Sequence, residues 1–172
     1  KMGPRAKEAV AGLRSHLADK SPDVRRESLI ALAEIGPDSQ SALNDIVQIL
    51  DEGDAQVRPV ACYALGKIGA ASKPAIPRLQ RMLQSRDSRE KTVAAWALVH
   101  ISPDPETIQT AIPLLATALE AAADPMVRVE MAKALGKIGS GSPIAKEALQ
   151  KALKDSDESV KKAADGALAK LK

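Results

Sequence analysis

The chain has no phenylalanine, one tyrosine and one tryptophan. With so few large rings, Ala, Leu, Ile and Val must fill the interior, which favours many small contacts between closely packed helices. A single cysteine, Cys62, excludes an internal disulfide and any cysteine-rich zinc site. No run approaches the roughly 18 unbroken apolar residues of a membrane-spanning helix. The opening Lys1-Met2-Gly3-Pro4-Arg5 leads into a mixed, charged segment unlike a signal peptide, so an intracellular protein is expected. Charge of one sign is scarce as well. The 25 basic and 22 acidic residues leave a net +3 with both signs interspersed, too little to mark a nucleic-acid-binding protein. A hydrophobic fraction of 45% still supports a buried core and excludes compositional disorder.

What the chain has instead is repetition. The hexapeptide "ALGKIG" occupies residues 64–69 and again 134–139. A phosphate loop would need a glycine five residues before each Gly-Lys pair and a Ser or Thr after it. Ala61 and Met131 stand at the first place and an isoleucine follows each lysine, so that chemistry is excluded. Aligned on the isoleucine, five segments match: 23–36, 56–69, 89–102, 126–139 and 159–172. Their anchors Ile35, Ile68, Ile101, Ile138 and Leu171 lie 33, 33, 37 and 33 residues apart.

Each segment has helical periodicity; Val24, Ser28, Ala31, Leu32 and Ile35 fall on one face. Ser21-Pro22, Asp54, Asp87, Asp124-Pro125 and Asp157 supply N-cap chemistry. Gly36, Gly69 and Gly139 follow the last apolar residue, where a left-handed residue ends a helix. The glycines of the hexapeptide are accordingly read as terminators. A second helix precedes each segment, with anchors Val10-Leu13-Leu17, Leu43-Ile46-Leu50, Ile76-Leu79-Leu83, Ile112-Leu115-Leu119 and Lys146-Leu149-Leu153. Pro77 and Pro113 are expected in the first turns of their helices. Short connectors make the paired helices antiparallel. Additional residues around "PDPETIQ" (103–109) and "AAAD" (121–124) account for the 37-residue interval.

A 33-residue hairpin whose second helix carries Val-Arg and Ala-Leu-Gly-Lys-Ile-Gly resembles a HEAT repeat, most closely the subclass first named from phycobilin lyases. The resemblance implies an all-α fold, a right-handed α-solenoid of five antiparallel hairpins with approximate repeats 4–36, 37–69, 70–102, 103–139 and 140–172. It also implies that Arg25, Arg58, Lys91, Arg128 and Lys161 form a ladder of basic residues, with Asp19, Glu52, Asp54 and Asp155 as partners. Glu90 departs from the pattern where a valine belongs, and Ser102 where a glycine belongs. A looser third repeat, or a bend at its junction with the fourth, is expected. Met2-Gly3 lies one period before Ile35-Gly36, and Asp165, Lys146, Lys161, Lys162, Lys170 and Lys172 make the last repeat polar. The expectation is the C-terminal part of a longer array with a capping final repeat.

In such arrays the second helices line the inner, concave surface. A helical wheel places Arg26, Ile30 and Ala33 opposite the core, then Pro59, Tyr63, Gly66 and Lys67, then Thr92, Trp96, Val99 and His100, then Val129, Lys133, Gly136 and Lys137. Tyr63 and Trp96 share one register position, with Ile30 before and Lys133 after. Ile30, Tyr63, Trp96, Val99, His100 and Lys133 are the candidate partner-binding residues. The alternative for both rings is sideways packing against neighbouring second helices, and the sequence leaves that open. His16 and His100 suggest no metal or catalytic pair, and "DSDES" (155–159) lacks calcium-loop spacing. Cys62 fits a packed substitute for alanine better than a nucleophile. The expectation is a monomeric, non-catalytic scaffold for a protein or peptide, without cofactor or metal. Nucleic-acid binding along Lys133, Lys137, Lys162 and Lys170 is one alternative, and bilin-lyase-type chromophore handling within a larger assembly is another.

Overall fold

The computed structural model of the protein describes residues 4–52 and 54–171, the side chains of residues 4–7 and 52 excepted. The Lys1-Met2-Gly3 motif, the Glu52 side chain and Lys172 lie outside the described residues. Among the described residues there is no strand. The α-helices are α1 (Pro4–His16), α2 (Pro22–Ile35), α3 (Leu43–Glu52), α4 (Arg58–Ile68), α5 (Ile76–Met82), α6 (Ser88–Ile101), α7 (Pro105–Ala121), α8 (Pro125–Ile138), α9 (Pro143–Ala152) and α10 (Glu158–Leu168). Successive pairs are the hairpins that the periodicity predicts, giving the all-α architecture of a solenoid. No described helix is long and apolar enough to cross a membrane.

The chain divides into two compact units, Lys1–Ser102 and Pro103–Lys172. In the first, α1, α3 and α5 pack on α2, α4 and α6, while α2 packs on α4 and α4 on α6. In the second, α7 packs on α8 and α9, and α10 on α8 and α9. A second helix such as α4 therefore has three helical neighbours, α2, α3 and α6, and its buried arc is wider than a wheel with one core face suggests. Ala61, Cys62, Ala64, Leu65, Gly66 and Ile68 are all buried. In α2 the buried set is Ser28, Leu29, Leu32 and Ala33, whereas Val24, expected inside, is 36% exposed.

The expected caps form at Asp87, Asp124 and Asp157, whose carboxylates accept first-turn N–H groups. Asp54 accepts from the N–H groups of Gln56 and Val57 at 2.9 and 3.0 Å, just ahead of α4. Ser21 takes the extended cap conformation without a side-chain hydrogen bond.

The C-terminal glycines differ from expectation. Gly36 (φ 70°, ψ −132°) and Gly69 (φ 79°, ψ −139°) have positive φ, but with a ψ outside the left-handed helical region, where essentially only glycine is found. Each turns the chain into a 3-10 segment, Gly36–Ala42 and Gly69–Ala75. Within these, Ser39 and Ser72 are fully buried and donate to the Leu32 and Leu65 carbonyls, both at 2.8 Å. Each adds a second donor to a last-turn carbonyl that already accepts the N–H of the following glycine, Gly36 or Gly69. Gly139 keeps an ordinary φ of −83°. Its glycine is needed for space, because a Cβ there would stand 2.6 Å from both Ala145 Cβ and the Leu135 carbonyl oxygen.

The first glycine of each hexapeptide is no terminator. Gly66 and Gly136 lie inside α4 and α8 at the crossing with the next second helix. A Cβ on Gly66 would meet the Trp96 ring and, at 3.1 Å, Ala97 Cα; one on Gly136 would meet Ala167 Cα at 2.8 Å. Ala97 and Ala167 occupy the same register position of the third and fifth repeats, so one rule governs both crossings.

Pro113 is also placed differently. α7 begins at Pro105, capped by Asp104, which accepts from the Thr107 N–H at 2.9 Å and the Thr107 hydroxyl at 2.7 Å. These hydrogen bonds hold the Asp104 carboxyl below its usual pKa range. The extra residues thus become helix, and Pro113 falls inside it.

Candidate functional site

The second helices α4 and α6 bring together three of the six sequence candidates. The rings of Tyr63 and Trp96 stack with centroids 5.1 Å apart at 27°, and those of Trp96 and His100 at 4.0 Å and 30°. Such offset pairs contribute about 0.5–1.5 kcal/mol beyond their buried area. His100 sits one turn after Trp96, and its Nδ1–H donates to the Trp96 carbonyl oxygen at 2.8 Å, fixing the proton on that nitrogen. Lys67 sits one turn after Tyr63 with its Nζ 5.9 Å from the phenol centroid, at the outer reach of a cation–π contact.

Trp96 itself is only 1% exposed. This resolves the open alternative in favour of packing and corrects the proposed contact role: the ring lies on Gly66, where no side chain intervenes. Its Nε1–H is buried without a hydrogen-bond partner among the described residues. Val99 is likewise fully buried, because its register column, with Ala33, Gly66 and Gly136, lies inside the array rather than opposite the core. Neither residue can touch a partner directly. Tyr63 and His100 are half-buried, and Ile30 on α2 is 37% exposed. Lys133 belongs to the other unit, where it is exposed and pairs with Glu130 at 2.9 Å.

The ladder of basic residues forms in part: Arg25 and Arg128 meet acids that the pattern anticipated, while Arg58 meets Glu90 instead. Arg25 donates to Asp54 Oδ2 and to the carbonyl, not the carboxylate, of Asp19, both at 2.7 Å. Arg128 clasps both Asp155 oxygens at 2.8 Å and also donates to the Ala122 and Ala123 carbonyls. That guanidinium holds the Asp155 carboxyl below its usual range. Lys161 pairs with Glu158 on its own helix.

Glu90, expected to loosen its repeat, is a built element instead. It is 6% exposed, pairs with Arg58 of the preceding repeat at 2.7 Å and accepts from the Ser85 hydroxyl at 2.7 Å. Sequence reasoning missed it because the residue was judged against the valine of its neighbours, although a buried acid opposite a ladder arginine was the available signal.

On the first-helix side of this unit, a groove of about 430 Å³ is lined by Leu43, Val47, Asp51, Pro74 and Arg78. A smaller one of about 310 Å³ holds Arg58, Arg78 and Arg81. These arginines are engaged: Arg78 and Arg81 pair with Asp51 at 2.6 and 3.0 Å, and Arg58 with Glu90. Cys62 is buried with its Sγ 3.5 Å from Met82 Sδ. Burial first, then the charge of Glu90, pushes its pKa up to about 12, which closes it to thiolate chemistry at neutral pH.

A family model described as HEAT repeats matches residues 10–99 and 94–169. No curated protein matches the chain. Among solved structures, the chain is similar to a designed armadillo repeat protein in complex with the peptide (KR)4, at 25% identity and a TM-score of 0.58 over 96% of this chain and 82% of that one. It is also similar to an engineered protein at 28% identity and a TM-score of 0.57, over 94% of this chain and 47% of that one. The chain thus spans about half the length of the latter. A second designed armadillo repeat protein shares the fold at 23% identity and a TM-score of 0.56, over 96% of this chain and 83% of that one.

Proposed function

Since the chain belongs to the HEAT repeat family, we propose that it is a non-catalytic scaffold holding a protein or peptide segment on the α4–α6 face around Tyr63. The observation that carries this reading is the ring stack. Trp96, buried on Gly66, backs the half-buried Tyr63 ring at 5.1 Å, so the phenol is held in place before any partner arrives. A preorganised aromatic anchor loses little side-chain entropy on binding, and tyrosine is among the residues most enriched at interface hot spots. Ile30, at the same register position of α2 and 37% exposed, adds an apolar contact. The likeness to a designed repeat protein in complex with a peptide supports the same class of partner. The non-catalytic part of the proposal accords with a thiol closed by burial and with Glu90 engaged by Arg58 and Ser85. The finer resemblance to the phycobilin-lyase-type subclass rests on the hexapeptide pattern, and it adds no residue to this face.

The test is a displayed random-peptide library selected on the whole chain, with affinities of the recovered peptides measured by fluorescence anisotropy. Tyr63→Ala is expected to weaken them at least about tenfold, the loss of a modest hot spot, with helicity by circular dichroism unchanged. A library that yields no binder, or binders indifferent to Tyr63→Ala, overturns the reading.

A further inference from the structure

We infer that the segment held on the α4–α6 face is acidic; the inference rests on the scaffold reading above. Of 25 basic and 22 acidic residues, four basic residues (Arg58, Lys67, Arg89, Lys91) and one acid (Glu90) lie on α4 and α6, leaving 21 of each elsewhere. The two helices that carry the ring stack thus hold a local excess of three positive charges.

That excess is not neutralised from within. α4 contains no acidic residue, and the one acid of α6, Glu90, is buried and bound to Arg58 and to the Ser85 hydroxyl. Lys67 lies beside the anchor, with its ammonium 5.9 Å from the Tyr63 centroid, and His100 takes the same register position one repeat on. Arg89 is exposed and Lys91 half-buried at the other end of α6. The acids of the flanking second helix are Glu27 and Glu34 of α2, both exposed. They bound the cationic zone on one side and disfavour a partner that carries its acids along α2. A segment with an apolar side chain on Tyr63 and carboxylates beside Lys67 and the exposed Arg89, seven residues before Trp96 and so on its side of α6, matches both features.

A peptide fits better than a single-stranded nucleic acid. Bases bind such faces by stacking on exposed rings, and the Trp96 ring is covered by Gly66, Tyr63 and His100. Arg58 is also already committed to Glu90.

The experiment measures anisotropy of three labelled probes against the whole chain: a peptide of alternating Glu and Leu, one of alternating Lys and Leu, and an oligo-dT strand. The Glu-Leu peptide is expected to bind most tightly and to lose roughly tenfold in affinity between about 50 and 500 mM salt, as screening shortens the reach of surface charge. Lys67→Glu and, separately, Arg89→Glu should each cost it several-fold and raise affinity for the Lys-Leu peptide. Equal binding of both peptides, or a preference for Lys-Leu, overturns the inference while leaving the scaffold reading in place. Tighter oligo-dT binding overturns it in favour of nucleic acid. Binding by none of the three, alongside a library that also yields no binder, removes the face as a binding site altogether.

Discussion

A Cβ placed on Gly66 would stand 2.4 Å from Cζ3 and 2.9 Å from Cε3 of Trp96, closer than real side-chain contacts come. The glycine in the last turn of α4 costs the helix up to about 1 kcal/mol relative to alanine, and the contact explains why it is there. It admits the ring that joins the second and third repeats and that holds Tyr63 in place.

Gly66→Ala therefore reverses the usual effect of replacing a helical glycine. It should destabilise the protein by about 1–3 kcal/mol in chemical denaturation, the range for overpacking a filled site. Gly12→Ala in α1 is the control: a Cβ there meets nothing within 4 Å. It should stabilise by about 0.5–1 kcal/mol. Equal effects of the two substitutions would mean that the Trp96 ring is not seated on Gly66.

The Arg58–Glu90 pair should show measurable coupling across the repeat boundary. Glu90 is nearly buried, and the pair is 2.7 Å apart with Ser85 satisfying the second carboxylate oxygen. A double-mutant cycle of Arg58→Ala and Glu90→Ala should return an interaction of about 0.5–3 kcal/mol. Additive losses would reduce Glu90 to the defect that its departure from valine suggested.

The Arg128–Asp155 clasp predicts an acid dependence. The folded chain holds Asp155 below its usual range, whereas the unfolded carboxyl titrates near its ordinary value of roughly 3.9. Below that value the unfolded state binds more protons, so this contribution is fully present above it and is lost as pH falls through the lower, folded value. Asp155→Asn should lower the melting temperature at neutral pH yet lose less than the parent between about pH 5 and pH 3. Asp104 and Asp157, also held low by hydrogen bonds to their carboxylates, preserve part of the acid limb in the variant. Parallel acid limbs would contradict the assignment.

Much of this was legible in the sequence. The isoleucine anchors and aspartate caps fixed the hairpins because they are local signals, read within one helix and its ends. What failed depended on a neighbour. Val99 and Trp96 look exposed on a wheel that allows one buried face, and become buried because each second helix is flanked on further sides. Gly66 resembles a terminator until the atoms opposite it are known, and Gly139 ends α8 as expected but without the left-handed conformation. Pro113 was displaced because Asp104 and Thr107 start α7 earlier than the spacing of Ile112, Leu115 and Leu119 implies. A glycine in the last turn of a helix in one repeat and a lone tryptophan in the next were the sequence's own hint of that packing.

Trp96 is the sole tryptophan, so its fluorescence reports the central contact without interference. With the ring 1% exposed between Gly66, Tyr63 and His100, the folded protein should emit at short wavelength and resist acrylamide quenching. Both properties should disappear on unfolding. A red-shifted, readily quenched signal from the folded chain would put the ring in water, and the anchor on which Tyr63 rests would be lost with it.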